Sequence, residues 1–288
     1  MSPPISIITV TYYTGPVLFD MLGAALAQQD VGELILVNNG NPLPIYQRLK
    51  EMSEKEPRLK LISGQGNVGF ATACNLGAKE AQGEYLLFLN PDCLLPKNIA
   101  GKLLAESRAH QGLHLLGARI LEAGGKEQSG SRRAALTPWT AFVEVLQLYR
   151  LFPNHPYCRR FKWHEEPVPA QTIPMPAISG ALMFMHKEEY MNLGGMDEGY
   201  FLHVDDLDLC LRVQRAGGQV LFMPEPAVTH IGATSQAPAT IVEWHKTRSF
   251  VRYFFKNFSE MYPRFFLWLV SGVVWMRFFV RALRRQFV

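Results

Sequence analysis

Short runs of β-branched and other apolar residues recur through the first third of the chain, each followed by a polar or glycine-rich stretch and then by an amphipathic one. ISIITVTYY begins at Ile5, ELILVNN at Glu33, RLKLIS at Arg58 and EYLLFLN at Glu84, so successive starts lie 28, 25 and 26 residues apart. Runs of this length and content read as strands buried on both faces. Between them, residues 17–28, 43–54 and 70–81 carry helical spacing, and Gly83 supplies a stop after the last. The alternation predicts an α/β fold: a Rossmann-like, mostly parallel sheet flanked by helices, with ligands bound at the carboxyl ends of the strands.

The residues just past those strand ends are Thr11-Tyr12-Tyr13, Asn38-Asn39-Gly40, GQGNVG at 64–69, and Asn90-Pro91-Asp92. All are polar or glycine-rich. Residues 121–175 differ in texture, being Gly/Ser-rich at 124–131, helical near 137–151, and then rich in Pro, His and Arg. They read as an irregular insertion or lid inside one domain spanning 1–237, with halves at 1–95 and 96–237. Order returns with ISGALMFMH as a strand and KEEYMNLGG as a helix stopped by Gly194-Gly195. GYFLHVDDLDLCLR then opens a helix that runs to about Ala216, and QVLFMP and PAVTHIG read as two short strands, the second ending at His230.

At 288 residues and 48% hydrophobic content the chain can bury a large core. Cys74, Cys93, Cys158 and Cys210 are far apart and lack zinc-ligand spacing, which fits a reducing compartment. MSPPISIITV has no basic leader and reads as a first strand rather than a signal peptide, so the expected location is cytoplasmic. The net charge of +4 hides an asymmetry, because residues 244–288 carry nine Lys/Arg against Glu260 alone. Within this 238–288 tail, FFLWLVSGVVWM gives only twelve uncharged residues before Arg277, short of the ~20 that span a bilayer. Arg277, Arg281, Arg284 and Arg285 share one helical face. That pattern predicts an amphipathic helical extension lying in the plane of an anionic membrane surface, with 262–288 as the contact. The competing expectation is a helix packed on the domain or in a homo-oligomer. The apolar content argues against nucleic acid.

Several motifs carry candidate chemistry. Gly64-x-Gly66-x-x-Gly69 has dinucleotide-loop spacing, which keeps an NAD-type oxidoreductase in view, but it follows the third strand rather than the first. Asn90-Pro91-Asp92 puts one carboxylate at the sheet edge, enough for a hard cation whose shell a diphosphate and water complete, although such a sequence is also an ordinary turn. His230 ends a strand near that edge and is open to metal or structural use. Asp208 precedes Arg212 by four residues and reads as a helix-face ion pair. Of Asp205 and Asp206, one can cap the helix, and the other is then a candidate general base.

Taken in order, ISIITVTYY, LILVNNG, GNVGFATACNLG with GEYLLFLNPD, ISGALMFMHKEEYMNLGGMDEGYFLHVDDLDLCLRVQRAGG, and VTHIGATS resemble the family 2 inverting glycosyltransferases of GT-A fold, especially the rhamnosyltransferase-like branch that builds bacterial cell-surface polysaccharides. The resemblance covers about residues 5–235 and makes 1–95 the nucleotide-sugar half and 96–237 the acceptor half. It implies Asp206 as catalytic base and Asp205 as its acidic neighbour. Asp92 matches the last acid of the metal motif, with Asn90 in its first slot, and His230 completes the metal site. It implies nucleotide-sugar contacts for Thr11, Tyr13, Asn38, Asn39, Asn67, Gly69, Asn75 and Asn90. The cofactor expected is Mg²⁺ or Mn²⁺, the donor dTDP-rhamnose, and the acceptor a saccharide, free or lipid-linked, at the cytoplasmic face of the inner membrane. Asn38 departs from the family's usual Asp, and with Asn90 it motivates the alternative of a catalytically inactive sugar-nucleotide binding module.

Overall fold

The computed structural model describes residues 3–286, with Ala233 and Gln236 excepted and the side chains of Arg285 and Gln286 also outside the description. The first half alternates as the pattern predicts. β1 (Ile5–Thr11), α1 (Val17–Leu26), β2 (Val31–Asn38), α2 (Leu43–Lys55), β3 (Leu59–Ile62), α3 (Phe70–Glu80) and β4 (Tyr85–Leu89) succeed one another. β1 lies parallel to β2 and β4, and β2 lies parallel to β3. Their near-continuous burial on both faces explains the unbroken apolar runs.

The second half extends the same sheet from the other side of β4. It comprises β5 (Cys93–Leu94), α4 (Ile99–Ala109), β6 (His114–Leu121), β7 (Arg132–Arg133), α5 (Pro138–Val145), α6 (Leu148–Leu151), β8 (Ile173–Pro174), β9 (Ala177–Ile178), β10 (Leu182–His186), α7 (Lys187–Asn192), α8 (Asp205–Arg215) and β11 (Gln219–His230). The main sheet has nine strands in the order β3-β2-β1-β4-β10-β6-β11-β5, with β8 on β11. Antiparallel β10 joins the halves, pairing Leu182 with Leu89 on one side and Phe184 with Leu116 on the other. Two apolar clusters cover the faces, one under α1 and α4, the other under α3, α8 and the C-terminal helices.

Three expectations change here. QVLFMP and PAVTHIG form one strand, β11, because both pair with β6 across a register shift between Met223 and Val228 that absorbs the two prolines. The helix expected near 137–151 breaks into α5 and α6 at Gln147, whose φ of +55° ends the first. Asp208 is no ordinary surface charge. It is 0% exposed and accepts from Arg212 Nε (2.7 Å), Lys256 Nζ (2.8 Å), Asn257 Nδ2 (3.1 Å) and Tyr200 OH (3.1 Å).

Lys256 and Asn257 belong to α9 (Ala239–Phe258), so this buried carboxylate fastens the C-terminal extension to α8. α10 (Arg264–Gln286) then folds back on α9 and α5. Leu267, Val270, Ser271 and Val274 form its buried stripe, while Phe265, Trp268, Leu269, Met276, Phe279, Val280 and Leu283 are exposed. Arg277 lines an internal cavity and Arg281 reaches Glu243 on α9 at 2.9 Å. The arginine face expected at the membrane surface therefore turns toward the protein at these two positions, and the apolar face turns out; the Arg285 side chain lies outside the described residues. Residues 264–284 are long enough and, at a mean hydropathy of 1.6, apolar enough to cross a membrane, a longer stretch than the uncharged run alone suggests. Their packing against α5 and α9 holds them beside the domain.

Burial pushes the Asp208 carboxyl up, but the bonds from Lys256, Arg212 and Asn257 outweigh it and hold the group below the ordinary carboxylate range. A depressed folded value gives stability that is complete above the unfolded value of about 3.9 and is lost as pH falls through the lower folded one. Asp208→Ala is expected to cost about 3 kcal/mol, because buried cationic partners lose their counter-charge while Lys256 and Arg212 keep some contact with water. Thermal melts at pH 7 check this through a midpoint lowered by roughly 5–10 °C. The gap between variant and wild type should close below about pH 4.

Candidate active site

At the carboxyl ends of β1 and β2 the polar residues knit together. Asn38 Oδ1 accepts from the backbone N–H of Gly40 (3.2 Å) and Asn41 (2.9 Å) and from Asn41 Nδ2 (2.8 Å), which makes it the centre of an Asx turn. Asn41 passes the connection to β1 by donating to Thr11 Oγ1 (3.1 Å) and accepting from the Tyr13 N–H (2.9 Å). Asn39 donates to Gly69 O (3.1 Å), and Asn67 accepts from the Gly69 N–H (3.2 Å). Gly69 cannot be replaced without damage, since a Cβ on its φ of +84° would stand 2.7 Å from Phe201 O. Thr11, Tyr13, Asn38, Asn39, Asn67 and Gly69 thus form one ledge.

Asn75 does not join it. It is 8% exposed, and its amide is consumed by Met196 O, Glu198 Oε1, Tyr190 OH and the Met196 N–H. It fixes the 194–198 turn rather than facing a ligand, which corrects its expected nucleotide-sugar contact.

Past β4, the turn Asn90-Pro91-Asp92 meets the end of β11, because His230 pairs in register with Cys93. Asp92 Oδ1 lies 3.0 Å from His230 Nε2, and Thr234 donates to Asp92 Oδ2 at 2.9 Å. His230 Nδ1 lies 3.0 Å from Gln128 Oε1, an arrangement that turns Nε2 toward Asp92. Asn90 Nδ2 is 3.4 Å from the same Nε2. Asp92, Cys93 and His230 each bring a ligand atom within 4.8 Å of the others. Burial, then the Asp92 charge, drives the Cys93 thiol well up, so it stays protonated and is a poor donor to a hard ion. One carboxylate and one imidazole remain, a donor set that fits Mg²⁺ or Mn²⁺ sharing its shell with a diphosphate.

Asp206 stands one turn of chain from this edge. The 179–181 turn links them: Ala181 O accepts the Asn90 N–H (2.9 Å), and the Gly180 N–H donates to Asp206 Oδ2 (3.1 Å). Glycine is required at 180, since a Cβ would lie 2.9 Å from the Asp206 Cβ. Arg133 Nη2 donates to Oδ2 at 2.6 Å and the Leu207 N–H donates to Oδ1 at 2.8 Å. The side chain remains 15% exposed and lines a cavity of about 530 Å³.

Asp205 and Asp206 have opposite electrostatics. Burial raises both, but Arg133 and the backbone donors bring Asp206 below the ordinary range, so it is ionised at neutral pH. Asp205 is buried beside that negative charge and is pushed up to about 8, so it is held as the neutral acid. Neither is the helix cap expected for one of them, because the position before the helix is Val204 at φ +70°. Arg133, Gly180, Gln128 and Thr234 complete the site and were not singled out from sequence. The Arg132-Arg133 pair in an otherwise Gly/Ser-rich stretch was the available signal.

Comparison with known proteins bears on this arrangement. The family model described as glycosyl transferase family 2 matches residues 6–175. Among curated relatives, the N-acetylglucosaminyl-diphospho-decaprenol L-rhamnosyltransferase of Mycobacterium tuberculosis is 25% identical over 270 residues, covering 87% of this chain and 84% of its own. A rhamnosyltransferase of Escherichia coli K12 is 24% identical over 185 residues, covering 61% and 65%. In structure, GalNAc-T7 with UDP, GalNAc and Mn²⁺ superposes with a TM-score of 0.65 at 16% identity over 89% of this chain, which spans about half (52%) of that one. A mannosyltransferase from Pyrobaculum calidifontis with GDP-Man and Mn²⁺ gives 0.57 at 16% identity, covering 95% of this chain and 69% of its own. These likenesses show the GT-A fold.

A folded value near 8 against an unfolded one near 3.9 means that Asp205 costs stability progressively as pH rises between the two. Asp205→Asn replaces a neutral acid by a neutral amide. The variant should be at least as stable as wild type at pH 7 and should decline less between about pH 4 and 8. Denaturant titration across that range checks the direction, and a large loss at pH 7 would show an ionised, paired Asp205 instead.

Proposed function

Because the chain belongs to glycosyl transferase family 2, we propose that it is a metal-dependent, inverting glycosyltransferase that moves rhamnose from dTDP-rhamnose to a lipid-linked saccharide. The observation that carries this reading is Asp206: one ionised, partly exposed carboxylate, fixed by three donors at a cavity wall and tied through the 179–181 turn to the Asp92–His230 edge. The names of the rhamnosyltransferase relatives support the sugar, and the mycobacterial relative's name supports a lipid diphosphate acceptor. Family membership sets aside the oxidoreductase, whose glycine loop here serves the turn into α3.

In this reading the ledge shapes the nucleotide site: part-exposed Tyr13 and exposed Asn67 face the ligand, beside the Gly69 backbone, and buried Thr11, Asn38 and Asn39 brace them through the bonds above. Asn38 braces the ledge, its Oδ1 occupied by the turn and its Nδ2 directed at Ser63 Oγ, 3.5 Å away. Asp92 and His230 would hold Mg²⁺ or Mn²⁺, which supplies positive charge against the departing diphosphate. Asp206 accepts the proton of an acceptor hydroxyl as that oxygen bonds to the anomeric carbon. The bond from that carbon to the diphosphate breaks on the opposite face, so configuration inverts. Arg133 keeps the carboxylate ionised and aimed, and neutral Asp205 adds no second charge beside it.

The exposed apolar face of α10 supports peripheral attachment to a lipid surface, with Phe265, Trp268, Leu269, Met276, Phe279 and Leu283 entering the acyl boundary. Exposed Arg264 and Arg284 at either end suit anionic headgroups. The location proposed is the cytoplasmic face of the inner membrane.

Two variants separate binding from chemistry. Asp206→Asn should reduce turnover by about 10²–10⁴ while keeping donor affinity, whereas Asp92→Ala should lose the Mn²⁺-dependent part of donor binding. Calorimetry with dTDP-rhamnose, with and without Mn²⁺, together with single-turnover transfer, reads both; an active Asp206→Asn sinks the assignment. Attachment is checked by sedimentation with anionic liposomes. Trp268→Ser combined with Phe279→Ser should release the protein into the supernatant at a low salt concentration that retains wild type.

A further inference from the structure

The cavity that Asp206 borders is walled on its other side by cations that make no use of one another. Lys162 comes from the 121–175 insertion, Lys246 from α9 and Arg277 from α10, joined by Arg133 and His203. Arg133 is matched by Asp206. Lys162 donates only to Ser129 Oγ, at 3.2 Å. Lys246 and Arg277 make no side-chain hydrogen bond or ion pair among the described residues. Glu122 and Glu144 also line the cavity; Glu144 accepts the Phe161 N–H and Glu243, nearby, holds Arg281, and neither Glu144 nor Glu243 forms an ion pair with the three cations among the described residues. Burial lowers both lysines, and the repulsion of Arg277 lowers them further against the pull of Glu144 on Lys162 and of Glu243 on Lys246. Burial lowers His203 to about 4, with Lys246 adding to it, so the imidazole is neutral and donates or accepts without adding charge. Three half-buried cations that feel only the longer-range pull of Glu144 and Glu243, with no close ion pair among the described residues, are incompletely compensated. The arrangement suits a polyvalent anion brought in from outside.

We propose that Lys162, Lys246 and Arg277 bind the diphosphate of the lipid-linked acceptor. The inference rests on the transferase reading above and adds to it the place where the acceptor's charge is held. In that reading the donor's own diphosphate lies at the Asp92–His230 edge, where the turn after β4 meets the end of β11; these cations come from the insertion and the C-terminal helices. The acceptor sugar then lies over Asp206, its diphosphate on the cations. Phe250 of α9 and Val274 of α10 line the same cavity and offer apolar surface beside the cations.

The test compares two acceptors, N-acetylglucosaminyl diphospho-farnesol and the 4-nitrophenyl glycoside of the same sugar, in wild type, Lys246→Gln, Arg277→Gln and the double variant. The ratio of kcat/KM for the diphosphate acceptor to that for the glycoside should fall at least about tenfold in each single variant and further in the double. An unchanged ratio overturns the proposal, whether both activities persist or both fall together. Inorganic pyrophosphate is titrated calorimetrically in EDTA alongside. Binding to wild type that disappears in the double variant supports the anion site even if neither acceptor is turned over, a result that would defeat the transferase reading and leave the site standing. No binding to wild type, with no change of ratio, defeats the site alone. Neither substitution removes a close ion pair among the described residues, so a thermal midpoint kept near that of wild type separates loss of the site from loss of the fold.

Discussion

The bond between the Gly180 N–H and Asp206 is the constraint around which the two halves of the molecule close. Gly180 sits between β9 and β10, the strand that joins the β1–β4 half of the sheet to the rest. Asp206 opens α8, and Arg133, from the insertion, reaches the same carboxylate oxygen. Three segments distant in sequence are thereby held to one atom. A rigid carboxylate is what the proposed in-line displacement would require, because a proton acceptor that wanders by an ångström loses most of its effect. The absence of a Cβ at Gly180 is thus a condition on chemistry as much as on backbone geometry.

The neighbouring aspartates show how position alone assigns charge state. Asp205 and Asp206 adjoin in sequence, yet only Asp206 meets a guanidinium and backbone donors; the other turns into the core and keeps its proton. Asp208, half a turn on, is more buried than Asp206 and is nonetheless ionised, because α9 delivers Lys256 and Asn257 to it. Burial raises all three, and the partners decide which remain charged.

The architecture of the first half was legible because parallel strands buried on both faces leave unbroken apolar runs and their connections leave regular intervals. Strand-end positions drew attention to Thr11, Asn38, Asn39 and Asp92, and the family resemblance, rather than any local pattern, joined His230 to Asp92. What the sequence concealed depends on long-range pairing. β6 enters the sheet between β10 and β11, and nothing local marks it as central. Asp208 matched the i,i+4 pattern with Arg212 so well that its second cation, 48 residues on, gave no sign. Asn75 carried a polar side chain in the right helix but pointed it at the 194–198 turn. For α10, periodicity established a two-faced helix correctly, but periodicity is silent on which face the domain takes. The cavity needed Arg277 inside, and the apolar side was left outward.

On the proposed attachment, that outward face would change the kinetics of encounter. A transferase adhering through a helix that also forms a wall of its own cleft would meet a lipid-borne acceptor by sliding in two dimensions, with the opening always at the same height above the acyl layer. The search volume would shrink to a film a few nanometres deep, so even a weak grip on the acceptor would suffice to keep the cleft supplied.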